Sequence, residues 1–179
     1  MKYLFQLLLS PRHGWEDISA ESPDPEVMLR KGFYPLLVFT SLMEVIKFFA
    51  IIRPSAWYVV SHIVLDFGAY FMALYVARYV LDLYLGLVSE PGTEVNQKKV
   101  STFIVMGMGL MVVMQLISNC LPGTLLFLRF LPLYVVLVIY KAVPYMAVVR
   151  GAELRFLGLA ATAIVAVPLF IYYFLDLLI

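Results

Sequence analysis

Charge is the scarcest resource in this chain. Only 14% of its 179 residues are charged and the formal net charge is +1, so no basic field exists to hold a phosphate backbone. Nucleic acid is therefore not an expected partner. Cysteine is reduced to Cys120, which cannot close an internal disulfide or supply a thiolate metal set, and reads as a small packing residue. No metal or cofactor is expected. A nucleophile elbow, an HExxH pair, a phosphate-cradling glycine loop and paired carboxylates in an aqueous segment are all missing. The chain is accordingly not read as an enzyme.

What the sequence does have is apolar length. Hydrophobic residues make up 63% of the chain and mean hydropathy is +0.93, against roughly 45 to 50% apolar in an ordinary soluble domain. A membrane helix needs roughly 20 mainly apolar residues, because each rises about 1.5 Å across a hydrocarbon core about 30 Å thick. Five runs reach that length: residues 33–52, 57–80, 100–119, 124–149 and 155–178. Arg53-Pro54-Ser55, Glu90-Pro91-Gly92, Leu121-Pro122-Gly123 and Arg150-Gly151 punctuate them. Pro35, Pro132, Pro144 and Pro168 lie inside the runs, where membrane helices tolerate proline if neighbours satisfy the freed carbonyls. The one sizeable loop is expected at 81–99. The expected fold is all-α: an arm over residues 1–32 with a short interfacial helix, then a polytopic bundle of five transmembrane helices over 33–179.

Lys and Arg collect on cytoplasmic flanks. With the N-terminus inside, ten of the 13 fall on that side, Arg53 and Arg129 fall outside, and Lys47 lies within the first run. The expectation is an integral membrane protein with its N-terminus in the cytoplasm and its C-terminus outside.

The opening stretch, LLLSPRHGWEDISAE (residues 7–21), needs its own account. The run Tyr3 to Leu9 is short for a signal peptide, is interrupted by Gln6, and leads into Ser-Pro-Arg-His rather than a small-x-small cleavage site. It is expected to stay on the chain and lie in the interface, with Leu4, Phe5, Leu8 and Leu9 toward lipid and Pro11 stopping the helix. Trp15 is then expected at headgroup level, with Glu16, Asp17 and Glu21 in water.

Ser-Pro-x-x-x-Trp-x-x-Ile (Ser10, Pro11, Trp15, Ile18), an acidic proline-containing linker, five short-looped runs and the stretch IYKAVPYMAVV (139–149) together resemble bacterial members of the Yip (Ypt/Rab-interacting protein) domain family. The resemblance implies a five-span protein of the bacterial cytoplasmic membrane. It names no biochemical function, because the bacterial members have no agreed one. Eukaryotic members bind small prenylated GTPases or act in vesicle traffic and carry Asp-Leu-Tyr-Gly-Pro before the first span. Here the nearest string, Asp82-Leu83-Tyr84-Leu85-Gly86, follows the second run and lacks the Gly-Pro pair in place, so GTPase binding is not carried over.

Ionisable side chains in hydrocarbon cost about 2.5 to 3.5 kcal/mol on insertion scales and are functional-site candidates by default. Glu44 and Lys47 stand three apart on one face of the first run, and His62 and Asp66 four apart on one face of the second. Gln115 and Asn119 of the third run and Arg129 of the fourth fall in the same outer half. One reading makes this layer a cavity where Asp66 or Glu44 takes up a proton or cationic group, His62 titrates beside them and Arg129 anchors an anion such as a lipid phosphate. The other makes it a satisfied network that fixes helix pairing. His62, Asp66 and Glu44 could in principle ligate a metal, but the motif is too loose to expect one.

Small residues recur every four at Ala69, Ala73 and Ala77 and at Gly158, Thr162 and Ala166. Such faces suit close helix packing within the bundle or a homo-oligomer interface. Two functions follow. One is a noncatalytic membrane organiser or adaptor whose arm, around Pro11, Trp15 and Ile18, meets lipid or a protein partner at the cytoplasmic face. The other is a small transporter or lipid- or ion-binding protein that works through the polar layer.

Overall fold

Two short helices open the computed structural model, which describes residues 2–49, 55–88, 97–121, 128, 130–146, 148 and 151–178, without the side chains of 47–49 and 86–88. Helix α1 (Lys2–Leu9) ends at Ser10, and Pro11, which lacks an N–H to lose, opens α2 (Pro11–Glu21). Ser22 closes α2 with a left-handed φ of 44° and an N–H donated to the Ile18 carbonyl. The two helices fold back on each other as a hairpin. Tyr3 and Lys2 meet Glu21, and Gln6 meets Asp17. A Cβ on Gly14 would stand only 2.8 Å from Leu7 Cδ2, so the helices approach as closely as they do because that residue is glycine.

Helix α3 (Pro25–Met28) is capped by Asp24, whose carboxylate accepts the Glu26 N–H at 3.0 Å. The long elements follow: α4 (Tyr34–Phe49), α5 (Ala56–Val88), α6 (Gln97–Cys120), α7 (Leu131–Ala142), α8 (Glu153–Ala161) and α9 (Val167–Asp176). There is no strand among the described residues.

Each internal proline sits at a change of helical winding. Wide π-turns at Leu29–Phe33 and Thr162–Ala166 stand just before Pro35 and Pro168, Pro132 lies in the first turn of α7, and Pro144 lies in a tight 3-10 turn, Val143–Tyr145. The cause is local. Proline clashes with the carbonyl four residues back, and an i to i+5 turn moves that carbonyl away. The second wide turn also has a packing consequence. Phe156, Ala160, Ile164, Pro168, Tyr172 and Asp176 recur every four residues, which in a regular helix drifts by about 40° per step, and the wide turn removes part of that drift.

Three helical stretches are long and apolar enough to cross a membrane: Ala56–Leu85, Gln97–Cys120 and Glu153–Asp176. The other two expected spans are represented by α4, with 16 residues, and by the shorter apolar helix Leu131–Tyr145. The 81–99 loop is also smaller than expected, since α5 continues to Val88 and α6 begins at Gln97. Helix α6 is the axis of the bundle. Of its most apolar window 72% is buried, against 44% for α5 and 33% for α8–α9. Gly107 and Gly109 permit this: a Cβ at either would come within 3.0 Å of Ile164 or of Leu4 respectively.

The Gly109 contact corrects the expected place of the arm. Leu4, expected toward lipid, is buried in the core with Leu7, and Leu8 is half-buried against it, while Phe5 and Leu9 stay exposed. Trp15, expected among headgroups, is 3% exposed. Its indole N–H donates to the Val138 carbonyl at 2.9 Å and its ring lies 5.7 Å from that of Phe103. Ile18 is buried beside it and Pro11 is half-buried. The physical reason is that two short amphipathic helices joined at Ser10 pool their apolar faces, and the groove between α6 and α7 is a better sink for that pooled face than an interface.

The polar side of the hairpin faces outward and is tied down electrostatically. Glu16 receives hydrogen bonds from His13 at 3.1 Å, Arg12 at 3.2 Å and Tyr145 at 3.2 Å. The His13 bond is the main reason its carboxyl sits below the ordinary range, and Tyr3 followed by Lys2 do the same for Glu21. A depressed folded-state pKa gives stability that is present above the ordinary carboxylate value and lost as pH falls through the lowered one. Acidification below the usual carboxylate range should therefore loosen the hairpin. In a Trp57→Phe background, Trp15 emission is expected to shift to the red there, and an emission maximum that stayed constant would refute this.

Candidate functional site

The far end of the bundle, opposite the arm, gathers the polar residues of α4, α5, α6 and α9, and it divides into two parts. On the α6 side runs a string of amides. Tyr70 donates to Gln115 Oε1 at 3.3 Å, Gln115 Nε2 donates to Asn119 Oδ1 at 3.1 Å, and Asn119 Nδ2 donates to the Thr40 carbonyl at 3.1 Å. This string ties α5 to α6 and α6 to α4. It is interhelical glue, each bond contributing about 0.6 to 2 kcal/mol.

On the α5 and α9 side stand the ionisable groups. Glu44 and His62 are buried and Asp66 is fully so, at 0% exposure. Tyr172, half-buried on α9, lies within electrostatic range of Glu44, Asp66 and Asp176. His62 and Asp66 share a face of α5, as their spacing predicts, but His62 also reaches another helix: its Nε2 lies 3.0 Å from Asp176 Oδ1, 114 residues away. Its Nδ1 faces the Tyr58 carbonyl at 2.9 Å, and the Tyr58 ring lies beside it, tilted by 44° with centroids 4.0 Å apart. Asp176 is 43% exposed. The acids thus run from the protein interior to its surface.

Of the residues singled out in the sequence, Glu44, His62, Asp66 and Gln115 come together at this end. Lys47 lies on α4 with its side chain outside the described set, and Arg129 lies outside the described residues. Sequence reasoning missed Asp176 and Tyr172. Depth would have pointed to Asp176, since a carboxylate two residues before the end of the last run, 155–178, sits at the same end of the bundle as His62 near the start of the second. Among the described residues no three His, Cys, Asp or Glu side chains are arranged to hold a metal ion. The two small-residue stripes separate cleanly: Ala69, Ala73 and Ala77 are fully buried inside the bundle, whereas Gly158, Thr162 and Ala166 lie at its surface.

No protein-family model, curated protein or solved structure matches the chain.

Proposed function

We propose that this chain is a noncatalytic membrane protein that binds a proton or small cation at Glu44 and Asp66, a minimal transporter or ion-binding protein. One observation carries the reading. Three carboxylates and a histidine from three helices meet in an apolar bundle, where each charge costs about 2.5 to 3.5 kcal/mol. The amide string already ties α4 and α5 together through α6, and buried ionic groups are often replaceable by apolar ones without loss of stability. Helix pairing alone therefore does not call for the acids.

The wider frame is a five-span protein of the Yip type in a bacterial cytoplasmic membrane, with the N-terminus inside and the C-terminus outside. Exposed apolar faces on α5, α7 and α9, including Val60, Val64, Leu133, Leu137, Phe170 and Phe174, suit contact with lipid. Lys2, Arg12, Arg78, Lys98, Lys99 and Lys141 lie toward the arm end, as the cytoplasmic assignment requires. The motif residues Ser10, Pro11, Trp15 and Ile18 share one structural task, which is to fold the hairpin and seat it.

The organiser reading keeps a place on the outer face of α2, where Arg12 and His13 are exposed. The cavity beside Trp15, Ile18 and Lys98 is about 40 Å³, enough for a few waters rather than a partner's side chain.

The test uses the full chain in lipid vesicles loaded with a pH-sensitive dye. An imposed pH gradient should decay faster than in protein-free vesicles, and Asp66→Asn and Glu44→Gln should abolish the difference. Infrared spectra of the same samples at two pH values should show a carboxylic C=O band that Asp66→Asn removes. If neither flux nor band depends on these residues while Arg12→Ala with His13→Ala abolishes capture of a cytoplasmic protein, the organiser reading replaces this one.

A further inference from the structure

His62 is held between two acceptors, and that fixes its proton count. Nδ1 faces the carbonyl oxygen of Tyr58 at 2.9 Å, and Nε2 faces a carboxylate oxygen of Asp176 at 3.0 Å. A carbonyl can only accept, so a hydrogen bond there requires a proton on Nδ1. Nε2 then meets Asp176 favourably only if one further proton is shared between them, either on the imidazole or on the carboxyl. A neutral ring facing an ionised carboxylate loses one contact whichever tautomer it takes. Its lone pair would point at the Asp176 carboxylate or at the Tyr58 carbonyl.

The location gives this proton a mechanical role. Asp176 is the last residue of α9, and His62 lies on α5 two turns from its start. Their contact closes the far end of the α5–α9 seam over Asp66 and Glu44. Among the described residues, the titratable groups near it are Tyr58 and Asp66 on α5, Tyr172 on α9 and Glu44 on α4. About three helical turns back, the wide turn at Thr162–Ala166 offers a point where α9 can tilt against α8.

We propose that His62 and Asp176 share a single proton that latches α9 onto α5, and that losing this proton opens the far end of the seam above the acid site. The inference rests on the reading of Glu44 and Asp66 as a proton or cation site, and gives that site a gate on its surface side. The sign follows from linkage. Docking of α9 is complete when the pair holds its proton and fades as pH rises and the proton leaves.

The gate is read as a distance. Spin labels at Val60→Cys and Phe174→Cys, both exposed positions, on a Cys120→Ser background in lipid vesicles report the α5–α9 separation. Between about pH 5 and pH 8, where histidine changes charge, the wild-type pair should pass from one short distance to a mixture with a longer one. Asp176→Asn offers Nε2 a neutral amide that donates without a shared proton, so its distance should stay short throughout. Asp176→Ala removes the contact and should show the long population at every pH. A pH-independent wild-type distance overturns the latch, and so does a pH response that survives in Asp176→Asn. Failure here leaves the acid site standing if the Asp66-dependent infrared band still titrates. If that band is absent while the distance still responds to pH, the acid-site reading fails and the latch remains.

Discussion

Trp15→Ala is expected to lower the unfolding midpoint of the detergent-solubilised protein by roughly 10 °C. The residue is buried against Phe103 and its indole N–H satisfies the Val138 carbonyl. Truncating a buried tryptophan costs about 3 to 5 kcal/mol, and for a chain of this size each kcal/mol moves the midpoint by about 2 to 4 °C. Trp15→Phe separates the two contributions. It keeps an aromatic ring on Phe103 while removing the hydrogen bond, a loss of about 1 kcal/mol, together with the packing of the indole's second ring. Removing residues 2–21 altogether should cost at least as much as Trp15→Ala, because it strips Leu4 and Leu7 from the same groove. Thermal melts of the three variants side by side make the comparison. Equal midpoints for wild type and Trp15→Ala would mean that the arm is not seated on the bundle at all.

Gly107→Leu is the second large effect, expected to destabilise by up to about 3 kcal/mol as overpacking. Its Cβ alone would stand 3.0 Å from Ile164 Cδ1 and 3.1 Å from Cγ2, with the rest of the side chain still to place. The clash falls on the wide turn that sets α9 against α5, so the variant should also disturb the His62 and Asp176 contact. Ile164→Ala vacates the space. The double variant should recover part of the loss, with a coupling of about 0.5 to 3 kcal/mol. Gly158→Leu is the control, since a Cβ there meets nothing within 4 Å. It should be close to neutral. If Gly158→Leu proved as damaging as Gly107→Leu, the surface stripe would be packed against something and Gly107 would not be the close approach.

The contrast between these two glycines shows where sequence reading reached its limit. Spacing by four identified Gly158, Thr162 and Ala166 as readily as Ala69, Ala73 and Ala77, yet only the alanines face the bundle. Periodicity says which residues share a face but not which way the face turns. That depends on how neighbouring helices cross. Gly107 and Gly109 carried no periodic signal, because they lie on different faces of a helix that protein surrounds on every side.

The polar layer was legible in part for the same reason. Glu44, His62 and Asp66 are conspicuous because charge in an apolar run is costly, and depth along each run placed them together. Asp176 stands at the end of its run, where an acid is ordinarily just the start of water. Only the parallel course of α4 and α9 on either side of α5 brings it to His62. The arm shows the opposite failure. A tryptophan among charges reads as an interfacial anchor when its helix is considered alone, but the Ser10-Pro11 break allows a hairpin, and a hairpin has a combined apolar face that no single-helix analysis contains.

By itself the sequence determined the class of the molecule: helical, because backbone groups in an apolar environment must bond within their own segment, membrane-suited, because the runs are too apolar for water, and polar at one depth, because the ionisable residues fall at matching distances from the run ends. Tertiary structure decided the rest. Whether Trp15 is exposed, which stripe is packed, how prolines are absorbed by wide turns and which acid meets His62 all depend on contacts between segments far apart in the chain, and those are set by close packing of side-chain shapes, which composition and period do not encode.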